Sequence, residues 1–433
     1  MKPNILVLGG DQACEAILAA GYPITGVNDL QAPAAAIVID VRSGGITKSY
    51  EIMEALKLAL GPRAGLFFAW TDETPDVKTY RTMHKLGFDG SFNAQTPIAF
   101  ISARLESAIR IQTMSDEVQS RMKTLESFGA PRFGQPTLDK NPRRVLIYGP
   151  PCPENMRLAA MLETLGVATI AAMSSYTAFD YLHKGNFDAI IVISKGDSAN
   201  SIAFCAALRR NSRLFHLPCL LFAASDFESL EVAISRGASD AVRAGENDEL
   251  ALARLLTLID EKRRRDALNL IFHNAKTTNA IDRRNGIYNQ DFFNRHLLEI
   301  VERSTQSRKN VALALVDVTI IEQSLTSKSP EAIRKVINQC ANMLSRLIRI
   351  EDVAAILDNG KFAVIFPSTP AQTAETALAR IVAVLESSGF DTGAFTEPAS
   401  VNLQYEVIEL EENQSSDEFM ARFGEFMKSN HFE

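Results

Sequence analysis

The chain has 433 residues, too many for one hydrophobic core, and its 46% apolar and 22% charged residues are those of an ordinary soluble globular protein of two to four domains. A formal net charge of −7 argues against a nucleic-acid or anionic-membrane surface as the main partner, and leaves room for a local basic pocket. Five cysteines, at 14, 152, 205, 219 and 340, show no CxxC or Cys/His spacing, so neither a disulfide framework nor a metal site is implied. Cys152 and Cys219 read as buried thiols. The start, MKPNILVLGG, lacks the layout of a signal peptide, and no apolar run approaches the length of a membrane span. The expectation is a cytoplasmic protein with no membrane insertion.

Residues 1–128 alternate short apolar runs with helical patterns. Ile5 to Leu8, Ala36 to Ile39 and Gly65 to Ala69 read as strands, with helical spacing over 11–20 and 48–60 between them. Continuous apolar strands alternating with helices predict a parallel sheet covered on both faces. A long polar helix over about 99–127 closes the unit. Residues 129–142, GAPRFGQPTLDKNP, carry three prolines and two glycines and read as a linker.

A second alternating unit fills 143–264, with strands at Val145 to Tyr148, Ala189 to Ile193 and Cys219 to Ala223. GFDGSFNA (87–94) and GASDAVRA (237–244) align without gaps, which points to an internal duplication. A charged helix over about 257–277 follows, and its segment 265–279 reads as a connector. In 280–433, VALALV (311–316) is a buried strand, and helices are expected over about 330–349 and 370–387. Two apolar runs joined at Asn359-Gly360 predict a tight hairpin over 353–366, and 401–410 is a further strand. A sheet with an antiparallel hairpin and helices is an α+β domain.

Three stretches carry a resemblance. Asp282-Arg-Arg-Asn-Gly286-Ile-Tyr-Asn289, the strand ALALVD (312–317) and the hairpin Leu357-Asp358-Asn359-Gly360-Lys361-Phe362-Ala363-Val364 match the landmarks of a GGDEF domain, the catalytic module of diguanylate cyclases. The two preceding units resemble response-regulator receivers. The order receiver–receiver–GGDEF is that of the PleD group. The resemblance implies two receiver-like, flavodoxin-like parallel-sheet domains and a degenerate, cyclase-like mixed-sheet domain.

Measured against that family, the catalytic machinery is depleted. Joining two GTP molecules needs divalent metal held by clustered oxygen ligands. The family supplies a strand aspartate, here Asp317, and an acidic third hairpin residue, here Gly360. Lys361 reverses the next charge, Asp358 and Asn359 replace the two glycines, and only Phe362 of the signature survives. The second strand aspartate is Thr319, and the guanine-binding residues align with Leu325 and Pro330 around a shortened TSKSPE loop. Asp317 then reads as a relic metal position. No catalytic residue, no bound metal and no cofactor are expected.

The family's inhibitory site is retained. Arg349-Ile-Glu-Asp352 is an RxxD whose aspartate lies six residues before Asp358, the family's spacing for binding cyclic di-GMP, and Arg380 stands eighteen residues beyond Phe362, where the family has a second arginine. A guanidinium fork suits guanine O6/N7 and phosphate, and a carboxylate accepts from the guanine N1 and N2 hydrogens. Three-residue separation at a helix end is expected to bring Arg349 and Asp352 to one side. The bland alternative is a surface ion pair worth under about 1 kcal/mol. Arg346 adds positive potential or is solvated surface.

A receiver needs an acidic pair, an acceptor aspartate and a lysine. In the first unit Asp40 matches the acceptor, but Gly9-Gly10, with Asp11 beyond, stands for the acidic pair and Ala94 for the lysine, so Asp40 reads as a relic phosphoacceptor. In the second, Gly149-Pro150, Ile193 or Ser194, and Ala244 replace all three, leaving a packing or dimer role. His183, His216, His273 and His296 are scattered and read as structural. The resemblance therefore implies a catalytically inactive cyclic di-GMP effector, a homodimer and adaptor at the cell pole that delivers cell-cycle regulators to a protease. Rival readings are a nucleotide-independent scaffold, a residual cyclase and a phosphorylation switch.

Overall fold

The computed structural model describes all residues except 1, 27–33, 43, 62–63, 130–140, 196–197, 225–226, 228, 246, 276–279, 322–328, 359, 393–397, 412–413 and 430–433. The bulk of the expected linker 129–142 and the end of the connector segment lie outside the described residues.

The first module runs β1 (Ile5–Leu8), α1 (Asp11–Ala19), β2 (Ile24–Thr25), β3 (Ala36–Asp40), α2 (Gly45–Leu60), β4 (Leu66–Trp70), α3 (Val77–Leu86), β5 (Gly90–Phe92) and α4 (Ile98–Glu126). The second runs β6 (Arg143–Tyr148), α5 (Pro153–Thr164), β7 (Val167–Ala172), α6 (Ser175–Lys184), β8 (Ala189–Ser194), α7 (Ser198–Arg210), β9 (Cys219–Ala223), α8 (Leu230–Ser235), β10 (Asp240–Arg243) and α9 (Asp248–Ala275). Both sheets are parallel, ordered β2-β1-β3-β4-β5 and β7-β6-β8-β9-β10, the same 2-1-3-4-5 winding. β3, β4, β8 and β9 are buried almost throughout, as strands covered on both faces must be.

The two aligned octapeptides follow one backbone course. Gly87 and Gly237 both have φ above +100°, and Asp89 and Ser239 each donate a 2.7 Å backbone hydrogen bond back to the preceding strand, to Phe67 and Cys219. Cys219 is fully buried, but Cys152 is only half-buried, in the loop between β6 and α5, just ahead of the helix. The charged helix begins nine residues earlier than its sequence pattern suggests, at Asp248, whose side chain accepts from Gly245 N–H.

The third module runs α10 (Gln290–Ser307), β11 (Val311–Ile320), α11 (Pro330–Leu347), β12 (Val353–Asp358), β13 (Lys361–Pro367), α12 (Ala371–Glu386), β14 (Val401–Glu409) and α13 (Ser416–Ser429). Its sheet, β12-β13-β11-β14, pairs antiparallel between all named strands, and a parallel bridge joins Tyr288 to Ala355. α11 and α12 cover one face. α10 and α13 cover the other, together with Leu125 at the end of α4 and Ala275 at the end of α9. The chain divides into two compact units, one of residues 112–135 and 268–433, the other of 2–111 and 136–267.

Candidate functional site

α11 starts on a Ser329 side chain that accepts from Ala332 N–H, and stops at Leu347 because Ile348 is extended. The next four residues close a turn. Asp352 N–H donates to the Arg349 carbonyl at 3.1 Å, and Arg349 N–H donates to Asp352 Oδ2 at 2.9 Å. This reciprocal turn, not helical spacing, puts Arg349 and Asp352 together. The expected alternative, a surface ion pair, is also not what forms: the Asp352 carboxyl meets a backbone N–H and is 5% exposed, while the Arg349 side chain is in solvent.

Arg349, Asp352 and Arg380 of α12 line one cavity of about 250 Å³, walled by Ile348, Phe366 and Ile381. The volume is below the roughly 300–1,000 Å³ of pockets that enclose a whole small molecule, so it suits part of a larger ligand. Both guanidinium groups are exposed and make no ion pair among the described residues. Asp352 Oδ1 is buried with no hydrogen-bond partner among them. Burial, reinforced by the Glu351 carboxylate, pushes the Asp352 carboxyl up to about 8 against the opposing pull of Arg349 and Arg121.

The hairpin is built differently. β12 and β13 pair Asp358 with Lys361, and Asn359 and the Asp358 side chain lie outside the described residues. Gly360 has φ +90°, and its carbonyl accepts from Val318 N–H at 2.8 Å. A Cβ there would meet the Val318 carbonyl oxygen at 2.9 Å. Lys361 lies directly across the sheet from Asp317, so a fixed cation occupies the register position next to the one metal-type carboxylate. Phe362 is 1% exposed and packs in the core between the sheet and α11. Thr319 is exposed and Pro330 opens α11, whereas Leu325 lies outside the described residues. Among the described residues no three His, Cys, Asp or Glu side chains gather as a metal site.

Asp40 ends β3 and is gripped by its own neighbour. Arg42 donates from Nε to Oδ1 at 2.9 Å and from Nη2 to Oδ2 at 2.6 Å, and its backbone N–H adds a third bond at 3.0 Å. The Arg42 hydrogen bond is the main reason the Asp40 carboxyl is held below its usual range. A Cβ on Gly9 would sit 2.9 Å from Asp40 Cβ, so the position opposite the acceptor has no room for a side chain. In the second module Ile193 and Ser194 are both buried, and Ala94 and Ala244 offer no charge at the lysine positions.

One cluster escaped the sequence reading. The α4 segment, expected to be a long polar helix, buries Glu117 and Arg121. Arg121 Nε donates to Glu117 Oε1 at 2.8 Å, and His296 Nε2 lies 2.9 Å from the same oxygen. Burial alone would raise the Glu117 carboxyl, but His296 and Arg121 outweigh it and hold the group low. The remaining Arg121 hydrogens reach the carbonyls of Ile350, Glu351 and Asp352 at 3.3, 3.1 and 3.4 Å. Glu117 and Arg121 at i,i+4 are the available signal, and that spacing is commonplace on solvated helices.

Two parallel α/β modules followed by an α+β module with this hairpin define the class, and residues 279–431 match the family model described as diguanylate cyclase, GGDEF domain. These residues form a GGDEF domain. The chain is 25% identical over 269 residues to the response regulator PleD of Caulobacter vibrioides, recorded from strains NA1000 / CB15N and ATCC 19089 / CIP 103742 / CB 15, an alignment covering 62% of this chain and 59% of each relative. The chain thus spans less than two thirds of the length of these relatives. Among solved structures it is similar to the FimX GGDEF domain of Pseudomonas aeruginosa (20% identity, 35% of this chain and 93% of that chain, TM-score 0.31). It is also similar to the DgcB GGDEF domain of Caulobacter crescentus in complex with c-di-GMP (18% identity, 35% and 87%, TM-score 0.32). A putative response regulator from Chloroflexus aurantiacus matches at 23% identity over 27% of this chain and 98% of that chain, with TM-score 0.25. No helix among the described residues is long and apolar enough to cross a membrane.

Proposed function

We propose that the chain is a catalytically inactive cyclic di-GMP effector, resembling PopA, a paralogue of PleD, in which the Arg349–Asp352 turn and Arg380 hold the dinucleotide. One observation carries the reading: Asp352, whose Oδ1 is buried with no hydrogen-bond partner among the described residues, lines the same cavity as Arg349 and Arg380, two arginines with no ion pair among the described residues. A carboxylate accepting from N1–H and N2–H, with an arginine fork on O6/N7 or phosphate, is a complement for guanine. The charge on the ligand suits the two cations, and the small cavity seats one base while the rest of the dinucleotide stays outside it.

The same module is poorly equipped for catalysis. Asp317 has a glycine and a lysine where the family has carboxylates, and the tip approaches the Val318 carbonyl too closely for a longer side chain. Bound ligand then acts by favouring the docking of protein partners. Polar delivery of cell-cycle regulators to a protease, and a homodimeric cytoplasmic state, are carried over from the PopA resemblance.

Calorimetric titration of the full chain with cyclic di-GMP tests the reading. Wild type should bind, and Arg349→Ala should weaken binding by about 5- to 150-fold, the equivalent of about 1–3 kcal/mol for one bidentate guanine contact. No heat from wild type sinks the effector reading and leaves a nucleotide-independent scaffold. GTP turnover that is lost in Asp317→Ala would establish a residual cyclase instead.

A further inference from the structure

We infer that Arg121, on the long helix α4, is a positioning residue for the candidate nucleotide turn, holding residues 350–352 in the geometry that presents Arg349 and Asp352 to a ligand. The inference rests on the cyclic di-GMP reading above and adds to it a residue far away in sequence.

The geometry is specific. A four-residue turn leaves its outer carbonyls without secondary-structure partners, and buried carbonyls must be satisfied. Here one guanidinium serves three consecutive carbonyls, those of Ile350, Glu351 and Asp352. Arg121 is itself 1% exposed, so it has no water to satisfy it. Its charge is balanced by Glu117, and its plane lies over the Phe272 ring at 4.5 Å. Glu117 is in turn held by His296, whose Nδ1 lies 3.0 Å from Thr124 Oγ1. Such a chain of fully buried partners fixes rotamers, which is what a positioning device requires. Lysine could supply the charge but not the planar fork that spans adjacent carbonyls.

Arg121 also acts on the ligand group electrostatically. The charged groups around the Asp352 carboxyl are Glu351 and Arg349 in the turn, Arg121 from α4, and Arg380, which faces the same cavity from α12. Guanine hydrogens are accepted by the ionised carboxylate. Removing Arg121 therefore makes the binding form harder to reach at neutral pH, besides loosening the turn.

The test uses the full chain, with cyclic di-GMP affinity measured from pH 6 to 9 for wild type, Arg121→Lys and Arg121→Met, beside thermal melting. Affinity should fall at least tenfold at pH 7 in Arg121→Met. The pH at which affinity reaches half its plateau should move upward, a shift that mere loss of stability would not produce. Arg121→Lys should bind more weakly than wild type and keep a pH midpoint nearer to it. Wild-type affinity and pH midpoint in both variants would overturn the inference. If Arg121→Met fails to fold, amide exchange on wild type decides: saturating ligand should slow exchange in 112–126 as well as in 349–353, because coupling is reciprocal, and an unchanged helix segment would overturn it. If wild type does not bind at all, the effector reading fails, and Arg121 is judged by whether its replacement by lysine speeds exchange of the 349–353 amides without ligand; no change there sinks the positioning role separately.

Discussion

A carboxyl group shut away from water stays protonated unless charges or donors replace the solvation it lost. Asp352 receives one backbone N–H and a nearby Glu351, and its pKa rises to about 8. The sign of the consequence follows from proton counting. Between about 4, the usual unfolded value, and about 8 the folded chain holds a proton that the unfolded chain has lost. The contribution is therefore full below the unfolded value and is lost as pH rises through that window, with a slope of at most about 1.4 kcal/mol per pH unit. Thermal melts of ligand-free wild type and Asp352→Asn from pH 6 to 9 should diverge, with wild type losing ground to the variant as pH rises and the gap levelling off above pH 8. Parallel curves would contradict the shift. The three candidate residues could be singled out because Asp352 has a fixed offset from Asp358 and Arg380 from Phe362, with Arg349 three residues before Asp352. The burial of Asp352 was not legible, since part of its setting, Arg121 on its turn's carbonyls, comes from a helix more than two hundred residues earlier, and Glu117 and Arg121 fall within a helix expected only to be polar.

At the level of elements, the hairpin was readable because two apolar runs flank a dipeptide that tolerates positive φ. Its chemistry follows from the backbone as much as from the missing side chains. Gly360 at φ +90°, with the Val318 carbonyl 2.9 Å from where a Cβ would stand, leaves no unstrained route to a carboxylate at this position. Gly360→Glu should lower stability by about 1–3 kcal/mol, the cost of a strained non-glycine conformation, and should gain no GTP turnover. Thermal melting and a nucleotide-turnover assay check both halves, and a stable variant that converts GTP would show that the tip can still open. Other elements were less readable. α10 and α13 carry mixed aromatic and charged residues, and their apolar faces become meaningful only against β11, β12 and each other. β2, at two residues, and β5, at three, are too short for any periodicity to register. The early start of α9 is hidden because the sequence signal was the charged run from about 257, whereas the first turns, with Leu250, Ala251 and Leu252 buried, carry little charge beyond Asp248 and Glu249.

For the whole molecule, alternating strands and helices predicted two parallel-sheet modules, and the gapless octapeptide match predicted their common course. Both patterns are local, so both survive in a single sequence. The partition into two compact units is not local: residues 112–135 join 268–433 although they follow the first module in the chain. That grouping has a thermodynamic consequence, because a ligand stabilises the cooperative unit it binds. At one hundred times its dissociation constant, a ligand adds about 2.7 kcal/mol to the folded form it occupies. The cavity of Arg349, Asp352 and Arg380 lies wholly within the unit that contains 268–433. Differential scanning calorimetry of the full chain should therefore resolve a transition that cyclic di-GMP moves upward and another that it leaves in place. The moved transition should also be the one lowered by Arg121→Lys, a residue of the first module's last helix by sequence and of the ligand's unit by contacts. If the ligand instead moves every transition equally, the two units unfold as one, and Arg121 belongs to a single cooperative network with both.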